Sequence, residues 1–165
     1  MLVYVADKKQ FLHDCDYQDI EEIIREKFKQ TTGKNVAPAE IRSWQSSLGY
    51  VAKALRDDEI AEDIGVAVEL HIPQSSKRID VTLSGFNAEH EKNIVVIELK
   101  QWEKAAKSLK DGIVITQIGR GYREVVHPSY QAWSYATLLE GFNEAVYDGG
   151  IHVQPCAYSH RIDPS

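Results

Sequence analysis

An α/β fold, a mixed central sheet with helices packed on its faces, is what the sequence predicts, and three observations carry that prediction. Apolar residues recur at helical spacing through the first part of the chain. From Val66 the pattern switches to period two and holds it through three consecutive strand-like runs. A further amphipathic helix and a closing strand follow a polar stretch near the C-terminus.

Residues 1–6 (MLVYVA) fit either a short strand or an extended lead-in. From Tyr17 to Gln30, the side chains of Ile20, Ile23, Ile24 and Phe28 fall on one helical face, with Asp16 placed as N-cap and Gly33 just past the end. A second helix is expected from Pro38 to about Leu55, on the stripe Ile41, Trp44, Leu48, Val51 and Leu55. Proline suits a first turn because its missing N–H has no intrahelical partner there. RDDEIAED (56–63) reads as a solvated turn or a short helix. Val66, Val68, Leu70 and Ile72 then alternate with Ala67, Glu69 and His71 as in a strand, and Pro73 to Lys77 reads as a turn. In the next strand Ile79, Val81 and Leu83 share one face, with Arg78, Asp80 and Thr82 on the other. FNAEHEKN (86–93) is a polar loop, and IVVIELK (94–100) is a nearly continuous apolar run, typical of a strand covered on both faces. Residues 101–127 carry the weakest pattern; Lys104 to Leu109 is assigned to a helix and GRGY (119–122) to a loop. A helix from Ser129 to about Phe142 follows Pro128, and the last strand is Ile151 to Tyr158.

The chain has 165 residues, enough for one domain with a sizeable core. With 43% hydrophobic and 27% charged residues, wholesale disorder is excluded. No apolar run approaches the roughly 18–20 residues that span a bilayer, and the N-terminus lacks the layout of a signal peptide, so a cytoplasmic protein is expected. Two cysteines, Cys15 and Cys156, with no CxxC pair, argue for reduced thiols rather than a disulfide framework or a zinc ribbon. The net charge of −6 counts against strong nucleic-acid binding by an unassisted surface. It does not exclude a nuclease, because divalent metal on an acidic cluster inverts the local field, and an attached domain can supply the basic surface.

One constellation carries chemistry. Asp80 lies mid-strand in RIDVTL, and Glu98 and Lys100 end the next strand in IELK. Period two puts Glu98 and Lys100 on one face, and if the two strands pair as a hairpin Asp80 comes beside Glu98. Buried charges are paired or bind metal. Two carboxylates completed by water and a phosphate oxygen make a Mg²⁺ or Mn²⁺ site, with Asp80 and Glu98 as ligands. Such an ion polarises a scissile phosphate and lowers the pKa of a bound water, while Lys100 orients that water or stabilises charge on the phosphate. Any lone ExK is more often an ion pair than a site; the weight rests on the combination with Asp80, the apolar lead-in and the downstream helix.

Asp80 followed by Glu98-Leu99-Lys100 resembles the core motif of the PD-(D/E)XK nuclease superfamily, although Arg78-Ile79 stand where that family's proline would precede the aspartate. Gln131-Ala132-Trp133-Ser134-Tyr135 resembles the QxxxY motif of the nuclease domains in bacterial recombination exonucleases; on a helix, Gln131 and Tyr135 share a face. The segments AEIRSWQSSL, KRIDVTLSGF, VVIELKQW, HPSYQAWSYA and VQPCAYSH are similar to the N-terminal nuclease-like region of predicted bacterial helicase/ATPase proteins. The resemblance implies a restriction-endonuclease-like fold, metal-dependent hydrolysis of nucleic acid, DNA before RNA, and Gln131 and Tyr135 supporting the substrate phosphate or Lys100. It also implies an ATPase or helicase domain following this region in a longer protein, since no GxxxxGK[ST] occurs here and the chain ends soon after its last strand.

Glu40, on the helix before Trp44, is a third candidate metal ligand, or else a first-turn acid favoured by the helix dipole. Glu69 is its rival on the first strand of the run. Arg78 and Gln101 flank the centre and suit either phosphate contact or a salt bridge. No HExxH or GxSxG occurs, which disfavours a zincin and a serine hydrolase. Two other readings stand beside the nuclease: a catalytically silent module of the same fold that holds nucleic acid for an attached motor, and an acidic domain that docks a partner protein.

Overall fold

The computed structural model describes residues 2–72 and 77–160. The expected turn at Pro73 to Lys77 lies largely outside them. Five strands form the main sheet in the order β1-β2-β3-β4-β8: β1 (Leu2–Asp7), β2 (Gly65–His71), β3 (Arg78–Phe86), β4 (Lys92–Lys100) and β8 (His152–Ser159). The first four pair antiparallel, and β8 joins β4 in parallel. β8 contains Pro155 and lies at the sheet's edge, where a proline is tolerated. Three helices, α1 (Lys8–Tyr17), α2 (Ile20–Thr32) and α3 (Pro38–Leu55), pack one core with Val66, Val68, Val81 and Ile97. The helix α4 (Pro128–Phe142) and the short α5 (Glu144–Asp148) pack a second core with Ile79, Val96 and Val153. The mixed sheet flanked by helices is therefore as the sequence predicts.

The N-terminal helix arrangement is not. Asp16 does not cap a helix starting at Tyr17; it lies in the last turn of α1 and bonds to Arg56. The helix that holds Ile20, Ile24 and Phe28 begins at Ile20, with Asp19 at its N-cap position. The segment KKQFLHDCDY forms a helix of its own because Asp7 caps it, accepting from Gln10 N at 2.7 Å, and because tertiary contacts supply what its apolar pattern lacks. Phe11 is fully buried, and Tyr4 Oη donates to the buried Asp14 at 2.7 Å. α2 ends as expected at Gly33, whose φ of 69° is the left-handed conformation that glycine adopts without a Cβ penalty. Gly33→Ala is expected to lower stability by about 1 kcal/mol, read from a denaturant midpoint.

Residues 101–127 also depart from expectation. Lys104 to Leu109 is not helical: Ala105–Lys107 is strand β5, in a second, three-stranded sheet with β6 (Ile113–Ile118) and β7 (Gly121–Val126). Pairing overrides the helix propensity of AAK, with Ala106 opposite Ile115 and Thr116 Oγ1 donating to Lys104 O at 2.7 Å. Of GRGY, only Gly119 and Arg120 form the loop, a two-residue turn closed by Ile118 opposite Gly121.

The main sheet breaks its alternation at one place. Val68 and Val81 pack toward α1–α3, while Leu70 and Ile79, two residues along each strand, pack toward α4. Ile79 and Val81 thus do not share a face. Between Val68 and Leu70, Glu69 has a φ of 58°, a left-handed conformation inside a strand that rotates the residues beyond it. Glu69 falls between the partner pairs Val68–Val81 and Leu70–Ile79, as does Asp80 on β3, so the irregularity lies where the carboxylates do.

Candidate active site

β3 and β4 pair from Phe86–Lys92 through Val81–Ile97 and then part. The next two residues in that register are Asp80 and Glu98. Where strands separate, backbone N–H groups lose their ladder partners and must find others. Asp80 Oδ2 takes that role, accepting from Leu99 N at 2.8 Å. The two carboxylates expected to lie side by side therefore do so at the opening of a strand pair.

Lys100 Nζ reaches back to Glu98 Oε1 at 2.5 Å, as the two-residue spacing predicts. Glu98 is only 3% exposed, and its Oε2 is buried with no hydrogen-bond partner among the described residues. Glu69 is as deeply placed. Trp44 Nε1 donates to its Oε1 at 2.9 Å, and Arg78 stands 3.0 Å from its Oε2 as an ion pair rather than in hydrogen-bond geometry. Arg78 also bonds to Glu40. These groups line one cavity of about 160 Å³, walled by α3 through Glu40, Ser43, Trp44 and Ser47. Gln101 braces that wall from outside the lining, its Nε2 donating to Ser43 Oγ and Ser47 Oγ, each at 2.9 Å.

Four carboxylates and two cations share this space, so the fully ionised site carries an excess of two negative charges. Burial is the main cause of the shifts that follow. It pushes Glu98 up to about 7, with Asp80 adding repulsion against the pull of Lys100. It pushes Glu69 up to about 7 as well, despite the Trp44 bond and Arg78. Asp80 is raised in the same direction by burial, in spite of the Leu99 N–H and the charge of Lys100. Burial disfavours the charge on Arg78, yet Glu69 and Glu40 outweigh it and hold that guanidinium above its ordinary pKa.

The structure places the remaining candidates as follows. Glu40 lies in the same cavity, drawn to Arg78 rather than to Asp80 and Glu98. Gln131 and Tyr135 are bonded to one another, Gln131 Nε2 to Tyr135 Oη at 2.8 Å, and Tyr135 packs in the α4-side core behind Asp80 and Glu98. Its phenol is raised first by burial, then by the charges of Glu98 and Asp80, so it stands within their field without lining the cavity. Ser43 and Ser47 carry no motif; their spacing of four on a helix whose stripe passes through Trp44 is the signal that finds them.

Among the described residues, no group of three or more His, Cys, Asp or Glu side chains is arranged to hold a metal ion. The donors present fit a divalent ion that takes two protein carboxylates and fills its other positions with water or substrate oxygen. Glu98 Oε2, buried and without a partner, and the excess negative charge are the observations behind that fit. Compared with protein-family models, with curated proteins and with solved structures, the chain matches none.

Proposed function

We propose that the chain is a metal-dependent phosphodiesterase acting on nucleic acid, DNA in preference to RNA, with Asp80, Glu98 and Lys100 at its centre. The observation that carries this reading is the juxtaposition of Asp80 and Glu98 where β3 and β4 part, with the buried Glu98 Oε2 left unpartnered and Lys100 Nζ on the other oxygen. Asp80 and Glu98 would hold Mg²⁺ or Mn²⁺, which when bound polarises the phosphate and acidifies a coordinated water.

The chain's own residues then have distinct tasks. Asp80 is fixed by Leu99 N–H, so one of its oxygens stays aimed while the other remains available. Lys100, whose Nζ lies 2.5 Å from Glu98 Oε1, would orient water or stabilise charge building on the phosphate oxygens. Arg78 offsets part of the charge of Glu40 and Glu69, which limits the repulsion an incoming phosphate meets. The hydroxyls of Ser43 and Ser47, held by Gln101, offer donors along the α3 wall. Gln131 and Tyr135 support the strands from behind. A restriction-endonuclease-like fold and an ATPase domain elsewhere in a longer protein belong to the same proposal.

Calorimetry with Mn²⁺ on wild type and Asp80→Ala, with DNA nicking on the same samples, tests it. Binding that vanishes in the variant together with metal-dependent nicking is expected. Binding without nicking would favour a silent module of the same fold, and no binding at millimolar Mn²⁺ would remove the catalytic assignment.

A further inference from the structure

The three-stranded sheet is spliced between the two halves of the candidate site. It leaves β4 just after Lys100 and returns to α4 just before Gln131, and Trp102 at its entrance lies under Lys100 Nζ at 5.8 Å from the ring centre. Its composition departs from that of the chain. Residues 101–127 hold five Lys and Arg against three Asp and Glu, in a protein whose net charge is −6. Glu124 is already matched by Lys110. Among the described residues Lys104, Lys107, Arg120 and Arg123 make no ion pair, and all four are exposed.

Register places two of these cations, Lys104 and Arg120, with exposed aromatic surface, while Lys107 and Arg123 fall in rows that point to the opposite face. Gln117 pairs with Tyr122, and Lys104, one residue before β5, continues the row on the same face. Arg120 occupies the adjoining turn. Tyr122 is 69% exposed. At the opposite end of the sheet Tyr130 lies against Gly112 and within 5.4 Å of Trp133, and both rings are more than half exposed. Tyr130 and Trp133 bracket Gln131 on α4. Lys104, Gln117 and Tyr122 thus make a row of a cation, an amide and an open aromatic face beside the turn that holds Arg120, and Trp102 joins the start of that row to Lys100 at the cavity.

We propose that this sheet is the docking surface for single-stranded nucleic acid, leading it to the Asp80–Glu98 cavity; the inference rests on reading that cavity as a phosphodiesterase site. Cations neutralise the strand's phosphates, and exposed rings take unpaired bases by stacking, an interaction that a duplex, whose bases are already stacked, does not offer. The excess of two positive charges over residues 101–127, five cations against three acids, in a chain of net charge −6 is the complementarity that selects a polyanion over a second protein surface.

Anisotropy of a fluorescein-labelled twenty-nucleotide oligo(dT), with full-length chain in EDTA at low salt, measures the surface apart from any cleavage. Lys104→Ala/Arg120→Ala is expected to weaken binding at least about tenfold and to reduce the slope of log affinity against log salt by about 1.4, or about 0.7 for each phosphate no longer neutralised. Tyr122→Ala is expected to cost about tenfold. The charge-matched control Lys9→Ala/Lys29→Ala, on α1 and α2, should change affinity far less. Equal losses in the control, unchanged binding in the Lys104/Arg120 variant, no binding by wild type, or a duplex competing as well as the single strand would each overturn the proposal. Strand binding lost in the Lys104→Ala/Arg120→Ala variant, while wild type cleaves neither the single strand nor a duplex with Mn²⁺, would instead uphold the surface and remove the phosphodiesterase reading.

Discussion

Asp80→Asn is expected to lower metal-dependent DNA cleavage by about a hundred- to a thousandfold while leaving the metal-free protein at least as stable as wild type. The asparagine oxygen still accepts from Leu99 N, so the partner of that backbone group is kept. What disappears is a charge that burial already disfavours and that repels Glu98. Asp80→Ala should match it in activity but lose the acceptor for Leu99 N–H, at a cost of about 1–3 kcal/mol. Lys100→Ala should reduce cleavage to a similar degree, because it removes the cation bonded to Glu98 Oε1 and drives that carboxylate further toward its protonated form. Nicking rates and thermal midpoints measured together separate the readings. Activity lost with stability held identifies a functional site, the usual signature of charges retained against the fold's interest. Activity and midpoint falling together in all three variants would make the cluster a structural ion network.

The second large effect is on pH dependence. In the folded chain Glu69 and Glu98 titrate near 7, whereas carboxylates of the unfolded chain titrate near 4.5. Between those values the folded protein retains protons that the unfolded chain has released, so stability falls as pH rises through this window and levels off above it. Asp80 shifts in the same sense. Each glutamate taken singly contributes on the order of 3 kcal/mol. The metal-free protein should therefore melt at a higher temperature at pH 5.5 than at pH 8, and Glu69→Gln/Glu98→Gln should flatten the difference. Millimolar Mn²⁺ should raise the midpoint at pH 8 and do little at pH 5.5, since protons and metal compete for the same oxygens. A midpoint that climbs with pH in wild type, or a Mn²⁺ shift equal at both pH values, would contradict the assignment of these carboxylates.

Legibility differed from element to element for identifiable reasons. α3 was readable to its ends because Pro38 marks its first turn and five apolar residues keep one stripe. Most of β4 was readable from a nearly continuous apolar run, although Lys92 and Asn93, assigned to the preceding loop, belong to the strand because they pair with β3. α1 was not, since its stability comes from Phe11 and from Asp14 bound to Tyr4, interactions made across the fold. The three-stranded sheet was missed because Ala105–Lys107 favours helix locally, and only its pairing with β6 decides otherwise.

By itself the sequence determined the α/β class and the spacing that sets Lys100 on the same face as Glu98, while the register that brings Asp80 alongside came from the pairing of β3 with β4. The class and the spacing follow from periodicity, which is local and fixed by backbone geometry. The tertiary structure alone decided where the alternation breaks, that Glu69 and Arg78 enter the same cavity as Glu40, that Tyr135 stands behind rather than within it, and that Glu98 keeps one oxygen buried and unpartnered. Each depends on how strands part and which helix covers the gap. Burial of charge is a property of the packed whole, not of any neighbouring residues in the chain.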